Sequence, residues 1–152
     1  MAVWGIAARL EQGLPVVTGV ELSGDPASPV GRLVLLHRCE PGDMAKALML
    51  LAADLEHELS KGAPEVVVIR SMDWFRSPHE NVVKPRMQAE GVLLAVARRA
   101  VQIVESHSGR ELGDICGIAK ASLEADATRL LPNLDRDAVV AGLAALVIAG
   151  RE

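Results

Sequence analysis

Residues 43–70, DMAKALMLLAADLEHELSKGAPEVVVIR, place an amphipathic helix directly before a buried strand. Met44, Ala47, Leu48, Leu51, Leu55 and Leu59 recur at intervals of three and four, one face of a helix. Asp54, Glu58 and Lys61 lie mostly off that face. Asp43 follows Pro41-Gly42 and is placed to cap the first turn, while Gly62 and Pro64 predict the end. The run EVVVIR has no polar alternation, so both faces of that strand are expected to be covered. A strand that returns after a long helix predicts a parallel crossover onto the first strand.

Working outward, the N-terminal side reads as three short strands: VWGIAARL (3–10), PVVTGVELSG (15–24) and RLVLLHR (32–38). Gly13 and Pro15 punctuate the first junction, and the cluster GDPASPVG (24–31) the second. Strands joined by such turns predict an antiparallel meander. On the C-terminal side, SMDWFRSPHENVV (71–83) is a polar loop, followed by a second helix over roughly 84–100. Gly91 inside that helix costs about 1 kcal/mol against Ala, which predicts close packing against another backbone. VQIVES (101–106) is a fifth strand, and SGRELGDICG (108–117) is a turn or short helix. AKASLEADATRLL (119–131) is a helix, and DRDAVVAGLAALVIAG (135–150) is a final apolar, buried helix. The order is β-β-β-α-β-α-β-α-α, read as a single α/β domain over residues 1–152.

The composition narrows the function. Half of the 152 residues are hydrophobic and the mean hydropathy is +0.25, which excludes a disordered chain. Lys and Arg number 16 against 20 Asp and Glu, a net charge of −4. That balance, with no Tyr, one Phe and two Trp, is unlike a dedicated nucleic-acid binder, which needs clustered cations and stacking rings. No stretch reaches the ~18 apolar residues of a membrane span, and MAVWGIAARLEQ does not read as a signal peptide. A cytoplasmic protein is expected, without membrane contact, and its isolated Cys39 and Cys116 are expected to be free thiols. The scattered His37, His57, His79 and His107 give no zinc spacing.

The element order resembles the RNase H-like arrangement, a mixed five-stranded sheet with three antiparallel strands and then parallel strands joined by helices. Five segments, in order along the chain, also resemble the RuvC family of Holliday-junction resolvases. VWGIAAR is similar to that family's opening strand, Gly-Ile-Asp-Pro-Gly, and EVVVIR to its fourth strand, which ends in Glu. Gln88-Ala89-x-Gly91 resembles its Gly-Gln-Ala-Arg-Gly, and Gly117-x-Ala119-Lys120 its Gly-x-Ala-x-Lys. Asp137-Ala138-Val139-Val140-Ala141 stands where the family has Asp-Ala-Ala-Asp-Ala.

The resemblance implies a nuclease that holds two Mg²⁺ ions on four carboxylates, because hard cations need oxygen ligands and paired ions stabilise both reacting oxygens. The matching positions here are Ala7, Arg70, Asp137 and Val140, so one carboxylate of four is kept. The expected consequence is a catalytically degenerate domain, with no metal cofactor, that binds branched or structured DNA or RNA weakly or serves as a protein-interaction module. The alternatives are an active Mg²⁺- or Mn²⁺-dependent nuclease with relocated carboxylates, and a structural or regulatory protein without nucleic acid. The family's dimers imply a homodimer through the second helix, around Ala89, Gly91 and Ala95.

Arg70 can bind phosphate or fill the vacated metal site by pairing with Asp137 or Asp73. Asp73, Glu90, Glu105 and Asp135 can rebuild a metal site or act as ordinary solvated acids, with Asp135 capping the last helix. Trp74, Phe75, Arg76, Lys84 and Arg86 form the best basic and aromatic patch, suited to nucleic acid or to a subunit contact. Arg98-Arg99 suit the C-terminal end of their helix through its dipole alone. Lys120 suits a phosphate contact, or a pair with Glu124 four residues on.

Overall fold

The computed structural model describes residues 1–73 and 80–152, the side chains of 80–82 aside. Ten elements follow one another: β1 (Ala2–Glu11), β2 (Leu14–Ser23), β3 (Val30–Arg38), α1 (Met44–Gly62), β4 (Val66–Arg70), α2 (Glu80–Ala100), β5 (Ile103–His107), α3 (Gly109–Cys116), α4 (Lys120–Leu130) and α5 (Arg136–Arg151). The strands form one sheet in the order β3-β2-β1-β4-β5. β1, β2 and β3 pair antiparallel, and β4 joins β1 in parallel, as the helix–strand succession of residues 43–70 predicts. β5 adds a second parallel edge. This is the RNase H-like α/β arrangement.

Each face of the sheet carries its own apolar core. Trp4, Ile6 and Ala8 of β1 meet Leu51, Leu55 and Leu59 of α1 and Leu93 and Val96 of α2. Val3 and Ala7 of β1, with Val66 and Val68 of β4, meet α5 on the other face. All five residues of β4 are buried, because helices cover both of its sides. α5 lies directly on the β1 backbone. A Cβ on Gly5 would stand 2.1 Å from the Ala138 carbonyl oxygen and 2.2 Å from the Gly142 nitrogen.

Several expected boundaries shift. Within residues 108–117, Gly109–Cys116 form a helix, so three helices follow β5. Its start is a capping box, with Ser108 and Glu111 each bonding the other's backbone N–H. α1 runs through Gly62, and Ala63 takes the left-handed cap at φ 43°. Gly62 is required for a different reason, since a Cβ there would stand 2.4 Å from Trp4 Cζ2. α2 begins at Glu80, so Pro85 falls inside the helix and removes the backbone donor at its own position. Among the described residues Gly91 meets nothing within 4 Å, so the close packing predicted there is not found among them. Ala89 is buried against α1 and the sheet, whereas Gly91 and Ala95 are exposed, so the three do not share one face.

Cys39 and Cys116 are free thiols. Burial pushes both thiol pKa values up, that of Cys116 to about 11 against the opposing charge of Arg151. Among the described residues, no helix is long and apolar enough to cross a membrane.

Candidate functional site

The C-terminal end of β1 meets the N-terminus of α5, where Arg9 pairs with the capping Asp135. Ala7 and Arg70 are direct partners across the parallel β1–β4 pair. Ala7 and Val140 belong to the same apolar core, which fills with hydrocarbon the place where two carboxylates were sought. Asp137 lies in the first turn of α5, where a carboxylate suits the helix dipole. Its partner is its neighbour Arg136, at 3.3 Å, and not Arg70.

Arg70 is the one buried cation of the described residues, with its side chain 7% exposed. Its guanidinium bonds the Ser71 carbonyl and both oxygens of Asp73, at 3.3 Å and 3.0 Å. Of the two acids weighed for it, Asp73 is therefore the partner. Asp73 also accepts from the Gly109 N–H at 3.0 Å and from Lys120 Nζ at 2.6 Å. Burial alone raises the Asp73 pKa. The bonds from Lys120, Arg70 and Gly109, with the Arg70 charge, overcome that and hold it at about 2.

Lys120 opens α4 and reaches back to Asp73 instead of pairing with Glu124 along its own helix. Glu124 pairs with Arg136 at 3.2 Å. The i,i+4 spacing loses because Lys120 is offered a half-buried carboxylate that already carries two other donors.

The remaining candidate acids also have partners. Glu90 pairs with Arg86 at 3.1 Å. Burial raises its pKa, against the opposing pull of Arg86, the Met72 backbone N–H and the Arg70 charge. Glu105 lies 2.7 Å from His107 Nε2, whose Nδ1 lies 3.3 Å from Glu111. Asp135 caps α5 through the Ala138 N–H and receives Arg9 at 3.1 Å. Among the described residues, no group of three or more His, Cys, Asp or Glu is placed to hold a metal ion. The donor set at the strand ends is cationic and does not fit the paired Mg²⁺ ions implied by the resemblance.

Of the basic and aromatic patch, Trp74, Phe75 and Arg76 lie outside the described residues. Lys84 is exposed, and Arg86 is held by Glu90. Two residues of this end were missed by the sequence reading. Arg9 bonds Thr18 at 3.2 Å and pairs with Glu11 and Asp135. Its position two residues beyond Ala7, hence on the same strand face, is a period-2 signal that could have found it. Gly109 gave no local signal, since its role comes from contacts with Arg70 and Lys120.

No protein-family model matches the chain, and no curated protein does. Solved structures do. The chain is similar to Thermus thermophilus RuvC at a TM-score of 0.71 and 16% identity, over 99% of this chain and 96% of that one. It is similar to T. thermophilus RuvC in complex with a Holliday junction substrate at 0.72 and 16%, over the same shares. The yeast mitochondrial Holliday junction resolvase is more distant, at 0.52 and 13%, over 97% and 75%. At these identities the likeness is one of fold, and the fold is that of the RuvC-type Holliday junction resolvases.

Proposed function

We propose that this chain is a single RuvC-like domain that has lost two-metal phosphodiester cleavage and keeps weak binding of branched or structured nucleic acid. The observation that carries the reading is Arg70, buried at the end of β4 and bonded to Asp73, above a core that includes Ala7 and Val140. A guanidinium and an ammonium at this place repel divalent cations and attract phosphate. The fold likeness to a RuvC bound to a Holliday junction supports branched DNA as the first ligand to try.

The test pairs binding with cleavage. Labelled four-way junction and matched duplex are titrated with purified protein, and the same complexes are incubated with Mg²⁺ or Mn²⁺. Salt-sensitive binding that favours the junction, with intact strands, is the expected result. Metal-dependent incision would instead favour relocated carboxylates. Absence of binding to any branched DNA or RNA would leave a structural or regulatory role.

A homodimer through α2 belongs to the same proposal. Met87, Gly91, Leu94 and Ala95 recur at helical spacing on its outer face and are exposed. Ala89 is left out of that surface, because it is buried within the chain. Sedimentation equilibrium should give twice the chain mass, and Gly91→Glu should return the monomer.

A further inference from the structure

Four hydrogen bonds converge on the carboxylate of Asp73, from three separate elements. Arg70 at the end of β4 reaches both oxygens. The N–H of Gly109, the first residue of α3, reaches Oδ1, and Nζ of Lys120, the first residue of α4, reaches Oδ2. Arg70 is held in place by the Ser71 carbonyl and by burial. A Cβ on Gly109 would stand 2.7 Å from Arg70 Nη2 and 2.7 Å from Lys120 Cε, so a side chain there would displace the ends of both cations. A fixed guanidinium fork, an ammonium and a backbone N–H aimed at one point are the donors that a tetrahedral oxyanion needs.

We infer that Arg70, Lys120 and the Gly109 N–H form a phosphate site, and that Asp73 is its resident anion, an internal occupant that a ligand phosphate must displace. The charge arithmetic favours a competitor. Two cations bond the one carboxylate of Asp73, and Glu90, which also feels the Arg70 charge, is offset by its own partner Arg86, so a phosphate dianion would match the pair of cations more fully than Asp73 does. Removing the carboxylate leaves a buried guanidinium uncompensated, and such a charge draws in an anion. The inference rests on the nucleic-acid reading for its biological source of phosphate, but the anion chemistry stands on the donors alone.

The test uses Asp73→Ala and Asp73→Asn, with inorganic phosphate as the probe and chloride at matched ionic strength as the control. Phosphate at about a hundred times its Kd should raise the melting temperature of either variant by roughly 5–10 °C over chloride. Wild type should shift far less. In the Arg70→Met/Asp73→Asn double variant the gain should vanish. Should the Ala variant fail to fold, the Asn variant carries the same comparison, since it keeps the volume, loses the charge and leaves one acceptor oxygen in place of two. A phosphate shift no larger than that of wild type, or one that survives Arg70→Met, overturns the inference.

A four-way junction separates the two sources of phosphate. Tighter junction binding by Asp73→Asn supports a backbone phosphate as the ligand. Unchanged junction binding with a positive phosphate shift supports a free phosphate, and removes this site from the nucleic-acid reading. Junction binding by wild type, with variants indifferent to phosphate, overturns this inference and spares that reading.

Discussion

Asp73 ties the ends of three elements together through its charge, and that charge sets a pH dependence. Its pKa falls from 3.8 to about 2 in the folded chain. A depressed carboxylate contributes stability that is fully present above the unfolded value and is lost as pH falls through the folded one. The contribution is therefore whole above about pH 4 and gone below about pH 2, with a size of at most about 2 kcal/mol. Urea denaturation across that window should show Asp73→Asn closing on wild type as the pH drops. A gap that stays constant would mean that Asp73 acts by shape alone. Gly5 is a second single-residue constraint, and a stricter one. Its Cβ would meet backbone atoms of α5, which cannot rotate away as a side chain can. Gly5→Ala should cost about 3 kcal/mol or more, or prevent folding, read from the same denaturation curves.

α1 shows at the element scale how a local pattern becomes packing. Its buried residues are Ala47, Leu51, Leu55 and Leu59, all on the face marked by the three- and four-residue spacing. Met49 and Leu50 are exposed on the other side. Leu55→Ala should cost about 2–4 kcal/mol, while Met49→Ser should stay within about 0.5 kcal/mol. Equal costs for the two would show that α1 packs on both sides. The same locality explains what could be read from the sequence. The helix of residues 44–62 and the strand of 66–70 announce themselves by period and by capping, which neighbours in the chain determine. The placing of β1 to β4 followed from the meander and the crossover rule, whereas the edge position of β5 was not read from the sequence. The partner of Arg70 could be narrowed to Asp73 or Asp137 but not chosen, because the choice depends on Gly109 and Lys120, which lie 36 and 47 residues from Asp73. The reach of Lys120 to Asp73, and not to Glu124, is of the same kind. Gly91 misleads for a related reason: a glycine implies close packing only where a second backbone arrives.

Across the whole molecule the net charge of −4 argues against a nucleic-acid binder, yet the distribution points elsewhere. Three of the four positions where a RuvC-like site would concentrate acid are Ala7, Arg70 and Val140, so the acids that make the chain acidic lie away from the strand ends or are paired there. Arg9, Arg38, Lys120 and Arg136 are partly or largely exposed at this end, each beside a carboxylate. A surface of paired charges releases few counterions, since each cation must first give up its internal partner. Junction affinity should therefore fall with salt on a shallow slope, about −2 to −4 in log K against log salt, well below that of a dedicated binder. Lys120 is the half-exposed cation next to the buried Arg70, and Lys120→Ala should lower that slope by about 1 while weakening junction and duplex alike. Fluorescence anisotropy at four salt concentrations measures both quantities. A slope near zero would mean that the −4 charge does govern the molecule, and that the cations at the strand ends serve only to hold the fold together.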